Sequence, residues 1–300
     1  MTHYRSLNSH LREQFGEKVY KIALDSGFTC PTRDGTKDTR GCIFCAGGSG
    51  DFSIPVQDNV AEAIEMAKSV VAGKGAGKYI AYFQSFTGTY APIDRLRKLY
   101  SETIRHPDIV ALSIGTRPDC LSKEVIGLLS ELNTIKPVWV ELGLQTIHTE
   151  TAEYIRRGYP LDVFDDAVKR LWVKNLTVIV HMIIGLPGET PEMIRQTAEY
   201  IGRSGAQGIK FHLLHVLEGI DLAEDYRAGK FETLSLEEYI RILESCIESI
   251  PPEMVVHRLT GDGAKRSLIA PLWSGDKKRV LNEINLAFDR DNIVQGSRFN

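Results

Sequence analysis

The sequence predicts an α/β protein: a partial (β/α)6 TIM-like barrel of parallel strands with short N- and C-terminal extensions. Short apolar, β-rich runs alternate with runs of helical periodicity, a pattern typical of right-handed βαβ units around a parallel sheet. Polar residues or glycines also follow each predicted strand, as they do at the strand ends where barrels bind their ligands. Too few strands are visible for a complete eightfold barrel, and an open doubly wound sheet is the alternative.

The elements follow one another along the whole chain. Strands are predicted at 19–24, 78–83, 109–115, 137–144, 176–184 and 208–214. Helices are predicted at 58–71, 92–106, 122–132, 148–157, 162–174, 190–204 and 236–250. Asp58 is the expected cap of the first helix, and Thr190 caps a helix that Pro191 opens. Ser235 and Glu238 form a capping box for the last of them.

Composition sets limits on the class of protein. Hydrophobic residues make up 43% and charged residues 25% of the chain, as in soluble globular proteins. We expect a single domain over 1–300, with a core at about 15–250 and a C-terminal extension at about 251–300 that adds a strand and a helix. The first residues do not resemble a signal peptide, and no apolar run approaches the roughly 20 residues that cross a bilayer. These features predict a cytoplasmic protein without membrane contact.

Three of the five cysteines, Cys30, Cys42 and Cys45, lie in the glycine-rich loop after the first strand. Three is an odd number for disulfides and one ligand short of a closed tetrahedral zinc site. A thioredoxin-like dithiol would leave Cys30 without a role. Three thiolates around a [4Fe–4S] cluster leave one iron open to another ligand. The residues alone leave a cluster, a zinc site and a redox-sensing loop as alternatives, with Cys120 as a candidate fourth ligand.

Strand periodicity predicts a polar interior near the strand ends. In "PVWVELGLQ" (137–145) the aliphatic residues share one face, so Glu141 and Gln145 share the other and point into the barrel. The same parity places His181 inside, together with Lys210 and His212. Such groups are costly to bury unpaired, so they indicate ligand binding. A buried network whose members satisfy one another is the alternative.

Several short motifs together resemble the radical S-adenosylmethionine superfamily, and within it the Elp3-like branch of YhcC/YtqA type. They are the cysteine loop ending C-x-F-C, "DSGFTCPTRDGT", "GTRPDC", "ELGLQT", "RRGY" and "GLPGET", and the resemblance runs from about residue 4 to 290. The resemblance implies one [4Fe–4S] cluster held by Cys30, Cys42 and Cys45. It also implies that S-adenosylmethionine chelates the free iron and is cleaved reductively to a 5′-deoxyadenosyl radical.

The resemblance carries cofactor contacts over to named positions. They are Gln84, Ser85, Thr87, Thr116, Arg117, Glu141, Gln145, Arg157 and His181. Gln145 and Arg157 keep a family spacing of twelve residues, and an arginine pairs bidentately with a carboxylate. Gly115 and His181 stand where related enzymes often carry Glu and Asp. We therefore expect Thr116, Arg117 and Glu141 to contribute to holding the ribose.

The same resemblance implies a role in tRNA wobble-uridine modification, from carboxymethylaminomethyl-uridine to aminomethyl-uridine. tRNA would be the substrate, flavodoxin or ferredoxin the electron donor, and a tRNA methyltransferase the next enzyme. The alternatives are a radical enzyme for a small molecule or a protein, and a non-catalytic zinc or redox-sensing protein.

The net charge of -3 gives no global sign of nucleic-acid binding, so RNA would need a local basic surface. The candidate residues for it are Arg258, Lys265, Arg266, Lys277, Lys278 and Arg279. A solvated charged face is the alternative for these residues.

Overall fold

A computed structural model describes residues 3–47, 53–57, 59–261 and 266–299. The strands in these ranges are β1 Val19–Asp25, β2 Ile54–Pro55, β3 Lys78–Phe83, β4 Ile109–Thr116, β5 Val138–Gln145, β6 Thr177–Ile184, β7 Gly208–Leu213, β8 Val216–Leu217, β9 Val255–Arg258 and β10 Leu268–Ala270. The α-helices are α1 Leu7–Phe15, α2 Val60–Val70, α3 Ile93–Arg105, α4 Lys123–Asn133, α5 Thr149–Tyr154, α6 Leu161–Val173, α7 Pro191–Arg203, α8 Asp221–Arg227, α9 Leu236–Glu248 and α10 Lys277–Arg290.

The main sheet is parallel throughout and has the strand order β2-β1-β3-β4-β5-β6-β7-β9. All six predicted strands are present, so the predicted class of parallel half-barrel is confirmed. Within the described ranges two further strands extend the sheet to eight. They are the edge strands β2 and β9, of two and four residues, which are too short to show a clear alternation in the sequence.

Contacts between side chains of distant strands show that the sheet is curled. Lys21 Nζ on β1 lies 2.5 Å from Glu141 Oε1 on β5, although β3 and β4 separate these strands. Lys210 Nζ on β7 lies 2.7 Å from the Tyr82 hydroxyl on β3, across three intervening strands. Side chains of a flat sheet would not meet over such distances. The concave face of the half-barrel is therefore a polar interior.

The convex face of the sheet is aliphatic and packs against the helices. The four alternate residues of β5 on this face are fully buried, namely Val138, Val140, Leu142 and Leu144. Burying each such side chain stabilises the fold by about 1.5–3 kcal/mol. This face holds the sheet in place while the concave face remains available for polar groups.

The predicted helix starts are largely those of the structure. The Thr190 side chain caps α7, and Ser235 with Glu238 forms the capping box of α9. Asn59 caps α2 through hydrogen bonds from two backbone amides. The predicted cap Asp58 lies outside the described residues.

The segment after residue 215 partly covers the carboxyl end of the barrel. Strands β8 and β10 form a small antiparallel sheet in which Leu217 pairs with Leu268. Helix α8, which the sequence analysis did not identify, begins where the amide of Leu222 donates to the carbonyl of Ile43 in the cysteine loop. None of the helices in the described ranges has the length and apolarity needed to cross a bilayer.

Candidate active site

A cavity of about 330 Å³ opens at the carboxyl ends of the barrel strands. All the predicted metal and cofactor residues except Ser85 line it: Cys30, Cys42, Cys45, Gln84, Thr87, Thr116, Arg117, Glu141, Gln145, Arg157 and His181. Ser85 is buried, at 2% exposure, and is not among the lining residues. The fold therefore brings together residues that lie up to about 150 positions apart in the sequence.

The cysteine loop presents three free thiols to this cavity. A short turn holds two of them together, because the amide of Cys45 donates to the carbonyl of Cys42 at 3.0 Å. Cys42 Sγ lies 3.6 Å from the Arg156 carbonyl oxygen, and Cys30 Sγ lies 3.1 Å from Thr32 Oγ1. These contacts leave all three sulfurs available as ligands.

The donor set fits an iron–sulfur cluster. Burial raises the pKa of Cys42 to about 12, against the effect of the nearby Arg117 charge, so a bound metal would have to displace its proton. In the described part of the chain no three His, Cys, Asp or Glu side chains converge on one metal ion. A [4Fe–4S] cluster does not need such convergence, since each thiolate binds a different iron.

Two glycines allow close approaches around the loop. Gly41 has φ +72°, and a Cβ there would lie 2.7 Å from Arg33 Nε. The absence of that Cβ lets Arg33 cross the loop and donate from Nη2 to the Cys45 carbonyl at 2.6 Å. A Cβ at Gly115 would lie 3.3 Å from the Phe83 carbonyl oxygen. This tight approach favours glycine at position 115.

Two arginines of the cavity are fixed by the protein. Arg117 donates from Nε and Nη2 to both carboxylate oxygens of Asp119, each at 2.9 Å. Although burial opposes it, this pairing raises the pKa of Arg117. Arg157 donates from Nε to the Tyr159 carbonyl at 3.0 Å and from Nη1 to the Thr146 carbonyl at 2.6 Å. Within the described ranges its Nη2 has no hydrogen bond, and a guanidinium is well suited to pair with a carboxylate.

Backbone strain is concentrated at this cavity. Phe86, Gln145 and Arg156 have φ values of 54°, 69° and 54°, in the left-handed region that residues other than Gly and Asn rarely adopt. Phe86 and Gln145 line the cavity, and Arg156 precedes the cavity residue Arg157. Strain of this kind accumulates at functional sites, because the surrounding structure holds it in place.

One buried hydroxyl at the cavity lacks a partner. Thr87 is fully buried, and its Oγ1 has no hydrogen-bond partner within the described residues. Thr116 differs, because its Oγ1 lies 2.5 Å from Thr89 Oγ1. An orphaned buried hydroxyl requires a ligand or ordered water. That Thr87 binds the cofactor stays a prediction.

Glu141 is fully buried and lies at the centre of an ion-pair network. Its Oε1 accepts from Lys21 Nζ at 2.5 Å and from Ser113 Oγ at 2.6 Å. Its Oε2 accepts from His181 Nε2 at 2.6 Å and from Lys210 Nζ at 3.1 Å. For Glu141 this is the buried network of mutually satisfied groups that the sequence left open as the alternative to ligand binding. That Glu141 and His181 also contact the cofactor stays a prediction.

The network shifts the pKa values of its members. Burial opposes ionisation of Glu141, yet Lys21 and Lys210 hold its pKa well below the usual range. Burial lowers the pKa of Lys210 to about 7 and that of His181 to about 4. The ion-pair layer, as we name it, consists of Lys21, Tyr82, Ser113, Glu141, His181 and Lys210. The strand-end layer consists of Cys30, Cys42, Cys45, Thr87, Arg117, Gln145 and Arg157.

Three members of the ion-pair layer were not predicted from the sequence. Lys21, Tyr82 and Ser113 were not identified, although each alternates with apolar residues along its strand. The strand parity that placed Glu141 inside the barrel would have placed them there too.

Two family models match the chain. The one described as the Radical SAM superfamily matches residues 39–201, and the one described as the Radical SAM C-terminal domain matches residues 206–290. The first match covers more than half of the chain. It includes Cys42 and Cys45 and begins after Cys30.

Individual proteins extend this likeness. YtqA of Bacillus subtilis (strain 168) is 45% identical over 298 residues, which cover 99% of this chain and 92% of YtqA. The tRNA uridine(34) acetyltransferase of Methanocaldococcus jannaschii is 32% identical over 158 residues, which cover 52% of this chain and 28% of that protein. Among solved structures, archaeal Methanocaldococcus infernus Elp3 with an N-terminal deletion has a TM-score of 0.72 at 18% identity. That match covers 92% of this chain and 64% of the archaeal one, and it shows a shared fold.

Proposed function

The chain belongs to the radical S-adenosylmethionine superfamily, and from that premise we propose that it converts carboxymethylaminomethyl-uridine to aminomethyl-uridine at the wobble position of tRNA. It is a radical S-adenosylmethionine enzyme, and the cofactors of this superfamily are a [4Fe–4S] cluster and S-adenosylmethionine. In the proposed net change the carboxymethyl group would leave the side-chain nitrogen as glyoxylate, so a secondary amine becomes a primary amine. S-adenosylmethionine would be the two-electron oxidant, giving methionine and 5′-deoxyadenosine, and water would supply the aldehyde oxygen of glyoxylate.

When bound, the two cofactors supply a 5′-deoxyadenosyl radical that abstracts hydrogen. The residues of the chain bind and orient. Cys30, Cys42 and Cys45 are suited to hold the cluster, and Arg157 Nη2 is suited to the methionine carboxylate. Apolar side chains, Ile183 among them, line part of the cavity.

The tRNA assignment rests on one observation. The M. jannaschii relative is named for tRNA uridine 34, and the shared segment includes part of this chain's radical S-adenosylmethionine region. The shared segment is 28% of that relative, so its acetyltransferase activity is not carried over. The open cavity at the strand ends supports the proposal, because a base carried by a large polymer must reach it from outside.

The test uses the cluster-loaded protein and tRNA that carries carboxymethylaminomethyl-uridine. We expect mass spectrometry of the digested tRNA to show aminomethyl-uridine, formed together with 5′-deoxyadenosine. A tRNA with another base at the wobble position is the matched control and should give neither product above background. Cofactor cleavage without any change in the uridine would contradict the tRNA assignment and favour a small molecule or a protein as substrate.

We also propose an electron donor, a following enzyme and a cellular location. Reductive cleavage requires one electron, for which flavodoxin or ferredoxin is the proposed donor. The primary amine formed is a suitable nucleophile for a tRNA methyltransferase acting next. We propose the cytoplasm as the location, since its reducing conditions keep cysteine thiols free.

A further inference from the structure

At the floor of the cavity two lysines contact one carboxylate, although the lysines themselves do not line the cavity. Lys21 and Lys210 share one carboxylate, that of Glu141. Among the described residues that line the cavity, Glu141 is the one acidic side chain. Burial, together with the nearby charges of Lys21 and Arg258, lowers the pKa of Lys210 to about 7. An anionic group of a ligand nearby would favour the charged form of Lys210.

His212 offers an unused hydrogen-bonding atom at the same floor. It lies two residues after Lys210 on β7, so both side chains lie on the same face of the strand. Its ring lies 4.9 Å from the His181 ring, and it lines the cavity. Its Nε2 is buried and has no hydrogen-bond partner in the described part of the chain. Such an atom is costly unless a ligand or a water completes it.

His212 lies on a different strand from most of the residues predicted to bind the cofactor. Gln84 and Thr87 follow β3, and the cysteines follow β1, whereas His212 lies on β7. His181, on the neighbouring strand β6, is the predicted cofactor residue whose ring lies 4.9 Å from that of His212. A test of His212 therefore has to measure the affinity for the cofactor as well.

We propose that His212, backed by Lys21 and Lys210, is a carboxylate-binding subsite that recognises the carboxymethyl end of the substrate. This inference rests on the proposed function, in which the uridine substituent ends in a carboxylate. His212 donates from Nε2 to a carboxylate oxygen, and the two lysines supply the positive field behind it. The subsite makes the enzyme select the acid form of the side chain over neutral forms of the same size.

The test compares two nucleosides on the cluster-loaded protein with S-adenosylmethionine present. One is 5-carboxymethylaminomethyl-uridine, and the other is its methyl ester, which lacks the charge. We expect the wild type to bind the acid about 10-fold or more tightly than the ester, as a hydrogen bond to a charged group allows. His212→Phe keeps a ring beside His181 but loses the donor, and should lose this preference. His212→Gln should restore part of it.

Three controls distinguish loss of the subsite from misfolding and from weaker cofactor binding. His106→Phe lies at the end of α3, away from the cavity, and should keep the full preference for the acid. The methionine carboxylate of the cofactor is a second possible anion, so the affinity for S-adenosylmethionine is measured in every variant. Cluster content and far-ultraviolet circular dichroism verify that His212→Phe is folded.

Each outcome decides the inference. Loss of the acid preference in His212→Phe with unchanged cofactor affinity supports it. Equal binding of acid and ester by the wild type, or binding of neither, overturns it. A weakened cofactor affinity with the preference retained assigns His212 to the cofactor and also overturns it. The proposed function fails separately, when wild-type protein leaves the modified tRNA unchanged, and an acid preference that persists there still supports the subsite.

Discussion

On strand β5 the two polar layers of the barrel lie four residues apart, about 13 Å along the strand. At Gln145 the strand-end layer begins. There thiols and a guanidinium contact backbone groups and keep other atoms available to bind a ligand. At Glu141 lies the ion-pair layer, where one carboxylate receives four hydrogen bonds from side chains. Burial of polar groups therefore does not by itself identify a ligand site. A ligand site retains donors and acceptors that the protein leaves unused.

Removing a loop thiol should give the largest effect. Cys42→Ala removes one of three predicted cluster ligands, and we expect 5′-deoxyadenosine formation to fall more than about 100-fold, since even outer partners of a metal site are worth 10–100-fold. Iron and sulfide content and the electron paramagnetic resonance spectrum of the reduced protein provide the measurement.

Cys120→Ala is the control for that experiment. Cys120 lines a different cavity, beside the Arg117–Asp119 pair, and we expect full cluster content in the variant. A loss of cluster equal to that of Cys42→Ala would make Cys120 a fourth ligand and leave no open iron for S-adenosylmethionine.

Breaking the ion-pair layer should lower the free energy of unfolding strongly. Glu141→Gln leaves the buried Lys210 and the partly buried Lys21 without a counter-charge, and breaking a buried pair in this way costs about 3–5 kcal/mol in the free energy of unfolding. Urea titration measures it. Glu131→Gln is the matched control, because Glu131 pairs with Arg97 at 2.7 Å but is 59% exposed, and we expect a loss below about 1 kcal/mol. Similar losses in both variants would refute the distinction between buried network and surface pair.

Acid should weaken the ion-pair layer through His181. Its pKa is lowered from 6.5 to about 4, first by burial and then by Lys210, so the folded protein binds a proton less readily than the unfolded chain. This contribution to the free energy of unfolding is therefore present above pH 6.5 and is lost as the pH falls from 6.5 to 4, by about 3 kcal/mol in total.

His181→Gln removes that titration. We expect the variant to show a flatter dependence of unfolding free energy on pH between 6.5 and 4 than the wild type, measured by urea titration at each pH. His106→Gln, outside the layer, should follow the wild-type curve. Parallel curves for His181→Gln and the wild type would show that His181 does not resist protonation.

Within the strand-end layer, Arg157→Lys tests the unused donor. Lysine keeps the charge but loses the planar fork, and we expect the affinity for S-adenosylmethionine to fall about 10- to 100-fold. Calorimetry on cluster-loaded protein measures it. Arg170→Lys is the control, because Arg170 also donates to a backbone carbonyl, that of Leu121 at 2.6 Å, but lies outside this cavity. Unchanged affinity in Arg157→Lys would move the carboxylate contact to another residue.

The smallest effect is expected outside both layers, on the basic surface predicted to bind RNA. Lys277, Lys278 and Arg279 are exposed at the start of α10, while Lys265 lies outside the described residues. Reversing these three residues to Glu should weaken tRNA binding about 10-fold and lower its salt dependence, because fewer phosphate charges are neutralised. Reversal of Lys169 and Lys174 on and beside α6 is the control. Cofactor cleavage without tRNA should be unchanged in both.

Local rules in the sequence predicted most of the elements and the face of the sheet on which several site residues lie. The alternation along β5 placed Glu141 and Gln145 inside the barrel, and the capping residues of α7 and α9 marked where those helices begin. These predictions succeeded because periodicity and capping depend on neighbours within a few residues. The spacing of the three cysteines likewise placed them in one loop.

The tertiary structure alone decided which interior groups meet. Lys21 and Glu141 are 120 residues apart in the chain, and Tyr82 and Lys210 are 128 apart. Alternation determines the face of the strand on which a side chain lies. The curl of the sheet determines which other side chain it contacts across the barrel. The same curl completed Glu141 with protein partners, whereas Thr87 Oγ1 and His212 Nε2 have no hydrogen-bond partner among the described residues. That division between satisfied and unsatisfied groups depends on packing over the whole domain, so no local pattern in the sequence carries it.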